Sequence, residues 1–198
     1  MAVSIDDIKK LKELTGVGLT DAKKALVETD GDFDKALEAM RKKGMTKAEK
    51  KGDRETREGL IESYVHSNRI GVIVEVNCET DFVARLPEFK EFAHQIAMQI
   101  AAMSPRYATE DDIAAEEYEA KKAELLASDA LKSKPAEMAE KIVAGQLKKH
   151  FAEQVLVNQP FVLDDTMTVG DRIKEQIAKS GENIRVSQFK RIELGVTE

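Results

Sequence analysis

Apolar positions recur at two spacings along this chain, and the switches between them divide it. Ile5, Ile8, Leu11 and Leu14 stand three apart behind Ser4, with Asp7 three residues on, which predicts a capped amphipathic helix. Thr15-Gly16-Val17-Gly18-Leu19 breaks it, and Thr20 is placed to cap a second helix whose inner face carries Ala22, Ala25 and Leu26 and which ends before Gly31. Asp32 then opens a third, with Phe33, Ala36, Leu37 and Met40 inward, Arg41-Lys42-Lys43 in its last turn and Gly44 just past it. Three helices over residues 1–44 predict a small bundle, marginal by size alone.

Residues 45–57 read MTKAEKKGDRETR, almost without apolar content, and eight Lys or Arg fall from Arg41 through Arg57, so a basic, solvated linker is expected there. The remainder, 58–198, predicts a core. Two β-like runs, 59–66 and 70–79, flank Ser67-Asn68-Arg69, a hairpin signal. In the second run Val72, Val74, Val76 and Cys78 share one face while Glu75, Asn77 and Glu79 share the other. Helical spacing returns in Phe89, Phe92, Ala93, Ile96, Ala97, Ile100 and Met103, up to Ser104-Pro105. From about 108 to 157 a helical insert is expected, broken at Ser133-Lys134-Pro135, with Met138, Ile142 and Phe151 on its second helix. Thr168 and Asp171 open a further helix bearing Val169, Ile173 and Ile177, which Gly181 ends. Residues 183–194 predict a last strand whose alternation slips: Ile184 and Val186 are in phase with Ile192 and Leu194, and Phe189 is not, so a bulge is expected there and Phe189 is a candidate exposed side chain on an edge. The fold class is therefore α+β: a helical N-terminal module, then a small antiparallel sheet packed with helices.

Composition narrows the chemistry. With 198 residues, 42% hydrophobic and 34% charged, the chain can bury a core, which must be mostly aliphatic because it has no Trp and 5% aromatic residues. A net charge of -6 argues against a life mainly on nucleic acid. The basic run at 41–57 could touch RNA, but it lacks interleaved aromatics for base stacking, which favours a linker. A single cysteine and an N-terminus without a signal-peptide core point to the cytoplasm, with no membrane partner. His66, His94 and His150 stand far apart with no metal-ligand spacing, there is no GxxxxGK[ST] loop, and Gly16-Val17-Gly18 lies between helices rather than after a strand, so no metal, cofactor or nucleotide site is expected. Cys78 continues an apolar strand face, where a free thiol acts as a small core residue. No enzymatic chemistry is expected. An enzyme would have to rest on Cys78 or His66, and a plain protein or RNA adaptor is the other rival.

One segment stands apart. In Asn77-Cys78-Glu79-Thr80-Asp81-Phe82-Val83-Ala84-Arg85 a clean strand runs into an acid and a ring, with Thr80 able to cap a short helical turn. From the residues alone Phe82 could serve a partner or its own core, and burial is the commoner fate of a phenylalanine.

Three stretches, LKELTGVGLTDAKKAL at 11–26, NCETDFVAR at 77–85 and NQPFVLDDTMTVGDRIKEQIAKSGENI at 158–184, resemble, in order, signatures of the elongation factor Ts family, and its short form in particular. The resemblance implies an N-terminal bundle similar to ubiquitin-associated domains, and a core with a reduced version of the longer members' two-part sheet and helical insert. It implies a guanine-nucleotide exchange factor that binds elongation factor Tu, nucleotide-free or with GDP. Thr80, Asp81, Phe82 and Val83 would be the segment that dislodges the partner's magnesium ion. The bundle would dock on the partner's nucleotide-binding domain, with Leu14, Thr15, Gly16, Val17 and Gly18 at the contact. Short-form members can also pair through the C-terminal sheet region, so a homodimer is a further expected partner. The insert at 108–157 is where the chain departs most from the family pattern.

Overall fold

The computed structural model describes residues 3–15, 17–128 and 136–196. Gly16 and the expected break at Ser133-Lys134-Pro135 lie outside the described residues. Helices α1 (Ile5–Thr15), α2 (Leu19–Glu28) and α3 (Phe33–Glu49) form the bundle. Its core is Ile8, Leu11, Ala22, Ala25, Leu26, Ala36 and Met40, with Val17, Phe33 and Leu37 packed against it. Ile5 and Leu14 are exposed. A three-residue step turns about 300° on a helix, so a row at that spacing drifts off one face, and its ends roll out while Ile8 and Leu11 stay in. Ser4 and Asp32 cap as expected: Ser4 Oγ accepts from the Asp6 N–H at 3.1 Å and the Asp32 carboxylate from the Lys35 N–H at 3.1 Å. Thr20 does not. Gly18 holds the cap position of α2, two residues earlier, without a side-chain bond.

α3 also runs past its expected end. Gly44 lies inside it, and the reason for glycine there is proximity: a Cβ would stand 3.3 Å from that of Ala178. Ala178 belongs to α8 (Val169–Ser180), and the crossing is tied by Arg41 to Glu175 at 3.2 Å and by Lys174 to Glu49 at 3.1 Å. Ala48, inside the stretch expected to be solvated linker, is 2% exposed and joins the main core. A glycine after basic residues is a stop signal in sequence, but a buried helix crossing selects it equally well.

The main core is a three-stranded antiparallel sheet, ordered β1 (Glu58–His66), β2 (Ile70–Cys78), β5 (Ile184–Glu193). The hairpin turns through Ser67 and Asn68, both at positive φ, as a tight right-twisted connection requires. Val72, Val74, Val76 and Cys78 face inward onto α5 (Pro87–Met103), whose Phe89, Phe92, Ala93, Ile96, Ala97 and Ile100 are fully buried. β5 carries the expected bulge: Gln188 pairs with Glu75 but Val186 with Val76, leaving Ser187 as the extra residue. The bulge reverses the phase beyond it. Phe189 turns inward against the core, and Ile192, expected inward, is 73% exposed. Between α5 and α8 lie α6 (Ala115–Leu126) and α7 (Ala136–Ala152), with a separate small cluster around Val143, Leu147 and Phe151, and then an unexpected ribbon of β3 (Pro160–Phe161) and β4 (Asp164–Thr168). Thr168 and Asp171 make a reciprocal capping box on α8, and Gly181, at φ 79°, ends it. Among the described residues no helix is long and apolar enough to cross a membrane.

Candidate functional site

β2 is the middle strand, hydrogen-bonded on both sides, so its end is the most firmly placed point of the sheet. The chain leaves it through a bend at Glu79 and extended Thr80 into a single helical turn, α4 (Asp81–Ala84). On such a turn neighbouring side chains point about 100° apart, so an apolar pair on one side leaves the residue before it outside. Val83 and Ala84 are buried in the main core, and Phe82 is 79% exposed. Leaving a phenylalanine in water forgoes about 1.5–3 kcal/mol of burial. Asp81 Oδ2 meets Arg85 Nη2 at 2.7 Å across the same turn, an exposed ion pair of small energetic weight.

Thr80 holds the cap position of α4, but its hydroxyl does not cap. It donates instead to Glu182 Oε1 at 2.6 Å, and Glu182 Oε2 accepts the backbone N–H groups of Glu79 and Thr80 at 3.1 and 2.9 Å. Glu79 accepts in return from the Asn183 N–H at 2.6 Å and stands 3.4 Å from Arg54 Nη1. The Asn183 amide donates to the carbonyls of Gly52 and Arg54 at 3.1 and 2.7 Å. Beneath the turn the Cys78 thiol donates to the Thr80 carbonyl at 3.1 Å. Burial first, and then the Glu182 charge, push that thiol up to about 11. A thiol so held is protonated at neutral pH and is a poor nucleophile.

The second set of expected site residues sits on the bundle. Leu14 is exposed beside a crevice between α1, α3 and α8, Thr15 is buried with its hydroxyl donating to the Leu11 carbonyl at 2.6 Å, and Val17 is half-buried against the bundle core. Gly18 is open, with no heavy atom within 4 Å of where a Cβ would stand and an ordinary φ of −66°. The two sets are not brought together: α4 packs on β1, β2 and α5, while α1 and α2 pack on each other and on α3. Glu182 and Asn183, which hold the turn, were not legible beforehand. They lie over 100 residues downstream, and their sole local sign is a position just after a helix-ending glycine.

Fold and turn define an α+β chain that holds one large apolar side chain in solvent at the tip of its central strand. The model of the family described as elongation factor TS matches residues 9–196. The chain is 54% identical over 196 residues to elongation factor Ts of Thermotoga petrophila, covering 98% of each, and 50% identical over 198 residues to that of Fervidobacterium nodosum, covering 98% of this chain and 100% of the relative. With elongation factor Ts of Carboxydothermus hydrogenoformans it shares 50% over 190 residues, 95% of this chain and 87% of the relative. The class is that of translation elongation factors, and the chain belongs to the elongation factor Ts family.

Proposed function

We propose that this chain acts in the cytoplasm as the guanine-nucleotide exchange factor for elongation factor Tu: it binds the GDP form, disturbs the magnesium and phosphate site so that GDP leaves, and lets GTP rebind. The observation that carries the reading is Phe82, exposed on a turn whose neighbours are buried and hydrogen-bonded. Its ring would enter an apolar gap between helices of the partner, with Asp81 beside it competing for groups that organise the ion's surroundings. Mg2+ is the largest local charge in such a site, so moving what positions it weakens nucleotide binding without occupying the pocket.

Magnitudes demand a second contact. A ten-thousandfold faster release takes about 5.5 kcal/mol, and one buried phenylalanine contributes about 1.5–3 kcal/mol. The remainder is assigned to the broad docked surface around the turn, which the bundle holds on the partner through residues 14–18, where open Gly18 allows close backbone approach. In this reading residues 1–44 are a docking module, and α3 joins it stiffly to the core rather than through a loose linker. Release of fluorescent GDP from purified elongation factor Tu tests the proposal: the chain should accelerate it, and Asp81→Ala with Phe82→Ala should slow that release at least tenfold, about 1.4 kcal/mol, at nearly unchanged melting temperature. No acceleration by the intact chain would leave an adaptor.

Several cations of the 41–57 run face acids or carbonyls of the same chain, Arg41 to Glu175, Lys42 to Glu38, Arg54 to Glu79 and Lys51 to the Gly181 carbonyl, which favours a structural use over nucleic acid. A second copy is the other partner in this reading. Val65, Ile73 and Ile192 are exposed on the outer face of the sheet, in adjacent rows of the β1–β2–β5 register, and would pack against their counterparts. Light scattering at tens of micromolar tests that pairing, and a monomer would exclude it.

A further inference from the structure

The turn bearing Asp81 and Phe82 is fixed from far away in the sequence. A four-residue helix has little cooperativity of its own, and this one lacks a side-chain cap. What stands in for the cap is the Glu182 carboxylate, which takes two consecutive backbone N–H groups and the Thr80 hydroxyl, all at 2.6–3.1 Å. Bonds to a charged acceptor are the strong class, and two to successive amides fix the peptide planes on either side of Glu79, from which the direction of α4 follows.

Glu182 is itself well placed. Gly181 ends α8 at φ 79° and turns the chain back, the Ser180 hydroxyl accepts the Glu182 N–H at 3.2 Å, and Lys51 Nζ donates to the Gly181 carbonyl at 2.5 Å. Asn183, next in line, holds the chain that leaves α3 by two carbonyls. The turn and the last helix of the bundle therefore share one three-residue support.

Packing alone does not call for this arrangement. Val83 and Ala84 already seat the inner side of α4 in the core, whereas the bonds of Glu182 go to polar groups of Glu79 and Thr80 ahead of that apolar side. What the carboxylate adds is a fixed approach to an exposed side chain, and a pre-ordered contact loses less freedom on binding.

We infer that Glu182 is a positioning residue for nucleotide exchange: acting through the Glu79–Thr80 backbone, its carboxylate sets the orientation in which Asp81 and Phe82 are presented to the partner. The inference rests on the exchange reading of Phe82 given above.

The test uses full-length Glu182→Ala and Glu182→Gln, the second keeping a carbonyl acceptor of the same reach, and two readouts. One is amide hydrogen exchange at Glu79 and Thr80, with Val74 and Val76 of β2 as internal reference. The other is release of labelled GDP from elongation factor Tu at saturating chain. E182A should lose protection at Glu79 and Thr80 by about tenfold or more with Val74 and Val76 unchanged, and should slow saturated release about tenfold, while E182Q stays within about threefold of the parent in both. On a Phe82→Ala background E182A should slow release much less, because the ring it positions is gone and only Asp81 remains. Protection unchanged in E182A, protection lost with release intact, or equal slowing with and without the Phe82 ring would each overturn the inference. If E182A lost protection throughout β2, Glu182→Asp, which withdraws the charge by one methylene, takes its place with the same expectations. An intact chain that failed to speed GDP release would overturn this inference and the exchange reading together, and normal protection at Glu79 and Thr80 in that protein would show that the fault lay in the function assigned and not in the clamp.

Discussion

The connection at residues 14–18 and the turn at 80–83 are both proposed to meet the partner, yet they are held in opposite ways. Around the first, the support is local: the Thr15 hydroxyl bonds back to Leu11 on its own helix, and Val17 packs against the seven buried residues of the small bundle core. Around the second, support arrives from Glu182 and Asn183, across the sheet and over 100 residues away. A locally held segment is suited to supply affinity. One fixed by the whole core can transmit force to a partner without yielding, so the turn should govern the rate of exchange and the bundle its affinity.

The sharpest way to break this division is Phe82→Ala. Saturated GDP release should fall at least tenfold, the largest effect expected of any single substitution here, with a melting temperature within about 2 °C of the parent because the ring is 79% exposed. A large loss of affinity with an unchanged limiting rate would reverse the two roles.

Gly18→Lys probes the other side. Its φ is ordinary and its surroundings empty, so the fold should be untouched, while a partner backbone brought close would be obstructed. Affinity should weaken about tenfold, mostly through faster dissociation, and the limiting release rate should stay constant. An unaltered dissociation rate would remove residues 14–18 from the interface.

Gly44→Leu sharpens the role of the α3–α8 crossing. With a Cβ already 3.3 Å from Ala178, a leucine must push the helices apart, at a cost of about 1–3 kcal/mol in thermal stability. Affinity should suffer and limiting rate should not.

The expected effect of pH is smaller and separates the core from the bundle. Cys78 has its thiol raised to about 11, above its unfolded range, so it contributes stability below about pH 9 that is lost as pH rises through 11. Cys78→Ala should flatten the alkaline edge of the stability profile, and alkylation of the native chain at pH 8 should be slow and leave exchange intact. Rapid alkylation with loss of exchange would revive a catalytic thiol.

What the sequence disclosed follows the same local and non-local line. Ser4, Asp32, the Thr168–Asp171 box and Gly181 announce helix ends because caps act within four residues, and β2 shows its inner face because a strand buried on one side must alternate. The bulge in β5 was detectable from its broken phase, but not which half would turn over, since that depends on pairing with β2: Phe189 goes in and Ile192 out. Gly44 and Thr80 misled for one reason. Each carries the residue type of a helix end, and each is used by a distant partner, Ala178 in one case and Glu182 in the other. The segment 80–83 stood out because an acid and a ring followed a finished strand face. Whether that ring faced core or solvent depended on Val83 and Ala84 taking the inner side of the turn.

The most direct measurement of the central claim is a calorimetric titration of the chain into elongation factor Tu, first stripped of nucleotide and then saturated with Mg2+ and GDP. If the turn weakens GDP binding, GDP must weaken binding of the chain by the same factor. The account predicts affinities that differ a hundredfold or more, about 2.7 kcal/mol of coupling, and a ratio that shrinks toward one in Phe82→Ala. Equal affinities for the two forms in the unmodified chain would contradict it.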